Sequence, residues 1–184
     1  MQVWVDPMAW DEGEWVRYGI GLLMIEFIVI HSGGFLGGFA LRKEGPHWAA
    51  LAGLVALYSL MALGMSLGIQ STGVLYVFGA IMAGRVVEVA LNRHGGLRMM
   101  MARSAISIPL YLAVAFFTVF VPVPRLGITA EIAREVMPSN SGGIWIDHPE
   151  RAICGAAIYF ALLGLIEVLW IEKIGDTMEF PGTT

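Results

Sequence analysis

Five stretches of this chain are long and apolar enough to cross a lipid bilayer, near residues 15–41, 48–69, 72–91, 104–123 and 151–171. Nothing else in the sequence constrains the fold as strongly. A helix needs about 20 mostly apolar residues to cross a hydrocarbon core about 30 Å thick. In lipid every backbone polar group must be satisfied within the structure, so such stretches are helices. The expected fold is therefore all-α: one integral membrane domain, a five-transmembrane-helix bundle. The first stretch is longer than the bilayer requires and should tilt or protrude.

Composition agrees with this class. Of 184 residues, 57% are hydrophobic and 14% are charged, against roughly 25% charged in soluble domains. A net charge of -4 argues against a nucleic-acid partner. The expected partners are the lipid bilayer and other membrane-protein subunits, or a second copy of the chain. A single cysteine, Cys154, rules out an internal disulfide and a cysteine-based metal cage. The first residues are acidic, with Asp6, Asp11, Glu12 and Glu14, and lack the basic start of a cleavable signal peptide.

Turn and interface signals fall between the stretches. Gly45-Pro46 precedes the second, and proline suits a first helical turn. Pro122 and Pro124 close the fourth, while Pro109 inside it is a candidate kink. Asp147, three residues before Glu150, reads as a capping-box start for the fifth. Trp15, Trp48, Trp145 and Trp170 fall near span ends, as an interfacial aromatic belt requires.

Lys and Arg set the expected orientation. The 1–2 loop carries Arg42 and Lys43, and the 3–4 loop carries Arg93, Arg98 and Arg103. Both loops are then cytoplasmic, with the N-terminus outside and the C-terminus inside. The expected location is a bacterial cytoplasmic membrane. The outer 4–5 loop, about residues 124–150, contains "TAEIAREVM", with Ile132, Val136 and Met137 at helical spacing. That spacing predicts a short amphipathic helix lying on the membrane or docking on a partner.

Ionisable groups within a bilayer are costly and usually face a bundle interior or water. Five candidates form an expected buried polar cluster: Glu26 and His31 in the first span, Arg85 and Glu88 in the third, and Glu167 in the fifth. At 1.5 Å per residue, Glu26 and His31 lie within about 5 Å of the midplane. Arg85 falls near the same depth, and Glu88 and Glu167 lie deeper toward the cytoplasm. Glu26 and His31 are about 140° apart around their helix, so each is expected to meet a partner on another helix. Arg85 is the expected partner of Glu26. Arg85 and Glu88, three residues apart, can pair locally.

Glycines follow the same logic. Gly33 with Gly37, and Gly34 with Gly38, are spaced for close backbone approach between helices, as are Gly64 and Gly68. Gly164 precedes Glu167 by one turn. The fourth span, without a charged residue in its expected core, should be peripheral or face a partner protein. Met99-Met100-Met101 reads as an interfacial lead-in to it.

No zinc-protease, nucleophile-elbow or P-loop motif is present. The sequence requires no cofactor and no metal. His31 is a candidate single ligand to a haem or chlorophyll. A bis-histidine site is not expected, because His47, His94 and His148 fall in loops. Two function classes follow. The favoured one is a non-enzymatic accessory or structural subunit of a larger membrane complex, respiratory or photosynthetic in type. The alternative is a small proton- or ion-coupled transporter or channel built on the Glu/His/Arg cluster.

Overall fold

The computed structural model describes residues 2–9, 11–41, 47–91, 94–138 and 142–171. These are helical, with no strand among the described residues. Short α1 (Gln2–Val5) is followed by α2 (Glu14–Ala40), α3 (Trp48–Ile69), α4 (Gly73–Ala90) and α5 (His94–Phe120). After them come α6 (Ala130–Val136), α7 (Ile144–Asp147) and α8 (Pro149–Ile166), which continues into a looser π-type turn, Glu167–Ile171. Five segments are long and apolar enough to cross a membrane: Asp11–Ala40, Trp48–Ile69, Gly73–Ala90, Gly95–Phe120 and Pro149–Leu169.

Helix α2 is the hub. Its apolar window is 56% buried, against 22–28% for the other four segments, because α3, α4, α5 and α8 all pack on it. One core layer joins Ile25, Ile28 and Leu36 of α2 to Tyr58 of α3, Phe78 of α4 and Leu97 of α5. A second joins Val16, Ile20 and Leu23 to Tyr111 of α5 and Tyr159 of α8. The outer faces of α3, α4 and α5 carry exposed Leu60, Leu67, Tyr76, Phe116 and Phe120. An apolar belt of that kind suits a hydrocarbon surround rather than water.

The α3–α4 hairpin is tied by its own residues. Gln70 takes a left-handed conformation (φ 52). Ser66 Oγ then donates to Ser71 O at 2.6 Å, and Ser71 N to Ser66 O at 3.1 Å. At the same end, Thr129 caps α6 by accepting from Ile132 N at 3.3 Å. Val136 of α6 lies over Gly13, whose positive φ of 82 and tight roof both favour glycine. The amphipathic helix expected in the 4–5 loop is thus present as α6, and it docks on the start of the chain's own α2.

The structure changes the reading of the fourth span. Helix α5 begins at His94, ten residues before the expected start. Met99-Met100-Met101 therefore lie inside a helix, with Met100 buried, rather than in a lead-in. Met, Leu, Arg and Ala are good helix formers, and Arg103 here meets the carboxylate of Glu167. Nor is α5 peripheral: it packs along α2 and contacts α8. The helix runs on through Pro109. Arg42, Lys43, Gly45, Pro46, Arg93, Ser139, Asn140 and Ser141 lie outside the described residues, as do the side chain of Trp170 and the tail beyond Ile171.

A charged cavity between α2, α4 and α5

Helices α2, α4 and α5 enclose a cavity of about 340 Å³ lined by Glu26, Arg85, Glu88, Arg103 and Ser104, with Val29, Ile30, Ile81 and Met100 among its apolar walls. Three of the five expected polar-cluster residues, Glu26, Arg85 and Glu88, share it. Arg85 is half-buried and points into α2, where Nη1 donates to Val29 O and to Ser32 Oγ. Ser32 Oγ itself donates to Val29 O at 2.9 Å. The guanidinium approaches this closely because Gly33 has no side chain: a Cβ there would lie 3.2 Å from both terminal nitrogens and 2.5 Å from Ser104 Oγ.

Glu26 is not bonded to Arg85. Its Oε1 accepts from the hydroxyl of Tyr159, on α8, at 2.8 Å. Tyr159 is fully buried. Tyr111 stands edge-on to it at 5.6 Å and donates its hydroxyl to Leu23 O at 3.0 Å. A carboxylate at mid-helix is thus held from one side by a phenol and open on the other to the cavity. The expected Glu26–Arg85 pair fails because Val29 and Ser32, one and two turns along α2, capture the guanidinium first. For the same reason no Arg85–Glu88 ion pair forms among the described residues: the guanidinium is turned onto α2, and Glu88 faces the cavity.

Glu167 pairs with Arg103 Nη2 at 2.5 Å. Arg103 was read from the sequence as a loop residue, yet it lines the cavity and carries the link to α8. Sequence reasoning also passed over Tyr159, Ser32 and Ser104, because only ionisable groups were surveyed. A mid-span phenol at the depth of Glu26 was the available signal.

His31 lies apart from this cavity. Its Nδ1 is 2.7 Å from Phe27 O on its own helix, and the Phe27 ring is 4.1 Å away. A carbonyl only accepts, so Nδ1 carries a proton and Nε2 is the atom left for any ligation. The partner found for His31 is not on another helix: the Phe27 carbonyl one turn back along α2 satisfies Nδ1. The glycines divide in the same way. Gly33 and Gly37 sit against α5, where a Cβ on Gly37 would lie 2.5 Å from Met101 Cγ and 3.3 Å from Leu97 O. Gly34 would make an ordinary 3.5 Å contact with Ser104. At Gly38, Gly64, Gly68 and Gly164 an added Cβ would meet nothing within 4 Å. The expected close-contact faces at those four positions are not formed within the described chain.

A second polar cluster closes the opposite end. Glu150, 2% exposed, places Oε1 3.4 Å from Arg125 Nε and 3.1 Å from His148 Nδ1, which is 2.9 Å from Arg125 Nη2. The expected capping box is corrected here. Asp147 ends α7, Pro149 starts α8, and the Glu150 side chain turns inward to the arginine of the 4–5 loop. Glu150→Gln should weaken the charge-assisted contacts holding the loop, by about 2 kcal/mol. A lower thermal midpoint in detergent, with an increase in proteolysis confined to the loop, is the expected result.

Comparison with protein-family models, curated proteins and solved structures finds no match.

Proposed function

We propose that this chain is an integral membrane protein, one five-helix domain with its N-terminus outside a bacterial cell, and that it acts as a small proton- or ion-coupled transporter. The observation carrying this reading is the placement of Glu26, Arg85, Glu88 and Arg103 around one cavity. Charged groups inside a membrane bundle are costly and mark solute or proton paths. Glu26 is the group that takes up and releases a proton. Tyr159 donates to the carboxylate and stabilises it when ionised. Arg85 and Arg103 supply fixed positive charge for an anionic group of a passing solute, and Ser104 a hydroxyl. By the count of Lys and Arg, the cavity lies toward the cytoplasmic side.

Purified protein in sealed liposomes with an internal pH dye tests this. An imposed pH gradient should collapse faster than in empty liposomes. Equal rates would contradict the transport reading.

A second reading, an accessory subunit of a larger membrane complex, is favoured by the outward side of α3, where Gly53 leaves open space and Leu57 and Leu60 are exposed. Small residues on such a face allow a neighbouring helix to approach closely. Companion proteins retained in stoichiometric amount through mild-detergent purification would support it; a chain that purifies alone and moves protons would not.

A further inference from the structure

We propose that Met24, Met61 and Met65 form a thioether site for a soft monovalent cation, Cu(I) or its analogue Ag(I), in the groove between α2 and α3. The site is separate from the charged cavity and does not depend on the transport reading.

The groove has a volume of about 510 Å³, and all three methionines line it, with Gly64, Ile69 and Ile146. Met61 and Met65 are four residues apart and share one face of α3. Gly64 between them leaves open space, since a Cβ there would meet nothing within 4 Å. The register brings Met24 to the same level. Gly21 abuts Ile69, and α2 and α3 are consecutive packed helices running in opposite directions. Three residues along α2 lead to Met24, and four back along α3 lead to Met65. These are rises of about 4.5 and 6 Å, so the two lie level to within about 1.5 Å. Met61 is one turn deeper. A methionine side chain has three rotatable bonds, so thioethers from these positions can turn toward one point.

The donor set selects the ion. Among the described residues no His, Cys, Asp or Glu lines the groove, so hard and borderline cations find no charged ligand there. Thioethers suit Cu(I). They are also neutral, and a monovalent ion retains less uncompensated charge in an apolar setting than a divalent one. Methionine is also a common filler of irregular cores. Here, however, it borders open volume, and Met61 is 37% exposed. Binding forms sulfur–metal dative bonds with no change of oxidation state. A thioether has no proton to lose, so affinity should be flat between about pH 5 and 8, unlike that of histidine or thiol sites.

The test is a titration of the full chain in detergent with Cu(I), under reducing conditions, against a colorimetric Cu(I) chelator, with Ag(I) as competitor. The expected result is one Cu(I) per chain, displaced by Ag(I). Affinity should fall at least tenfold in Met61→Leu/Met65→Leu and be unchanged in Met101→Leu. Leucine conserves volume, and the single exposed change Met61→Leu gives the same direction should the double variant not fold. X-ray absorption should show a sulfur-only shell around the metal. Wild-type protein that takes up no Cu(I), a Met24→Leu/Met61→Leu/Met65→Leu chain that binds as tightly as wild type, or a nitrogen and oxygen shell would each overturn the proposal.

Discussion

Gly37→Leu should prevent the bundle from reaching its native packing, while Gly38→Leu should be tolerated. The two residues are adjacent and identical, and they differ only in what they face. At Gly37 even a methyl group would sit 2.5 Å from Met101 Cγ and 3.3 Å from the backbone oxygen of Leu97. Met101 can rotate aside, but Leu97 O can move only if α5 moves. At Gly38 nothing lies within 4 Å. Overpacking costs about 1–3 kcal/mol where side chains can yield, and more is expected where a helix backbone must shift. Thermal midpoints in detergent should drop sharply for the first variant and stay near wild type for the second. Similar midpoints for both would mean that α5 does not pack on this face of α2.

The second large effect falls on transport. Glu26→Gln removes the carboxyl proposed to exchange a proton and keeps its shape and a hydrogen-bond acceptor for Tyr159. Proton flux in liposomes should fall by about 100-fold, the scale of a lost acid–base group, with little change in thermal midpoint. Tyr159→Phe should give an intermediate flux, because Glu26 keeps its carboxyl but loses the hydrogen bond donated by the Tyr159 hydroxyl. Full flux in Glu26→Gln would remove Glu26 from the path and move attention to Glu88, the other carboxylate on the cavity.

Five apolar helices were legible in the sequence because hydropathy over 20 residues is a property of a segment alone. Contacts between segments were less so. Arg103 was treated as marking a loop, since charge in an apolar chain usually does; in the structure Glu167 and the cavity provide a polar setting inside a helix. Arg85 was given to Glu26 by charge, but two oxygens of α2, Val29 O and Ser32 Oγ, lie nearer along its reach. A backbone carbonyl and a hydroxyl carry no formal charge and no signal in a survey of charges. His31 was expected to need a partner elsewhere, though the carbonyl one turn back is available to any mid-helix imidazole.

The glycine pairs show the same limit. Spacing of four residues marked Gly33/Gly37 and Gly64/Gly68 alike. The first pair is packed against α5 and Arg85, whereas the second lies on the groove beside Met61 and Met65. Periodicity shows which residues share a face; only the other helices decide whether that face is inward.

The central claim is that Glu26 exchanges a proton with the cavity while bonded to Tyr159. Infrared difference spectroscopy across a pH titration in lipid measures this directly. The account predicts a carboxylic-acid C=O band that grows on acidification, is absent in Glu26→Gln, and is displaced in Tyr159→Phe. Difference spectra that are identical in wild-type and Glu26→Gln protein across the titration would contradict it.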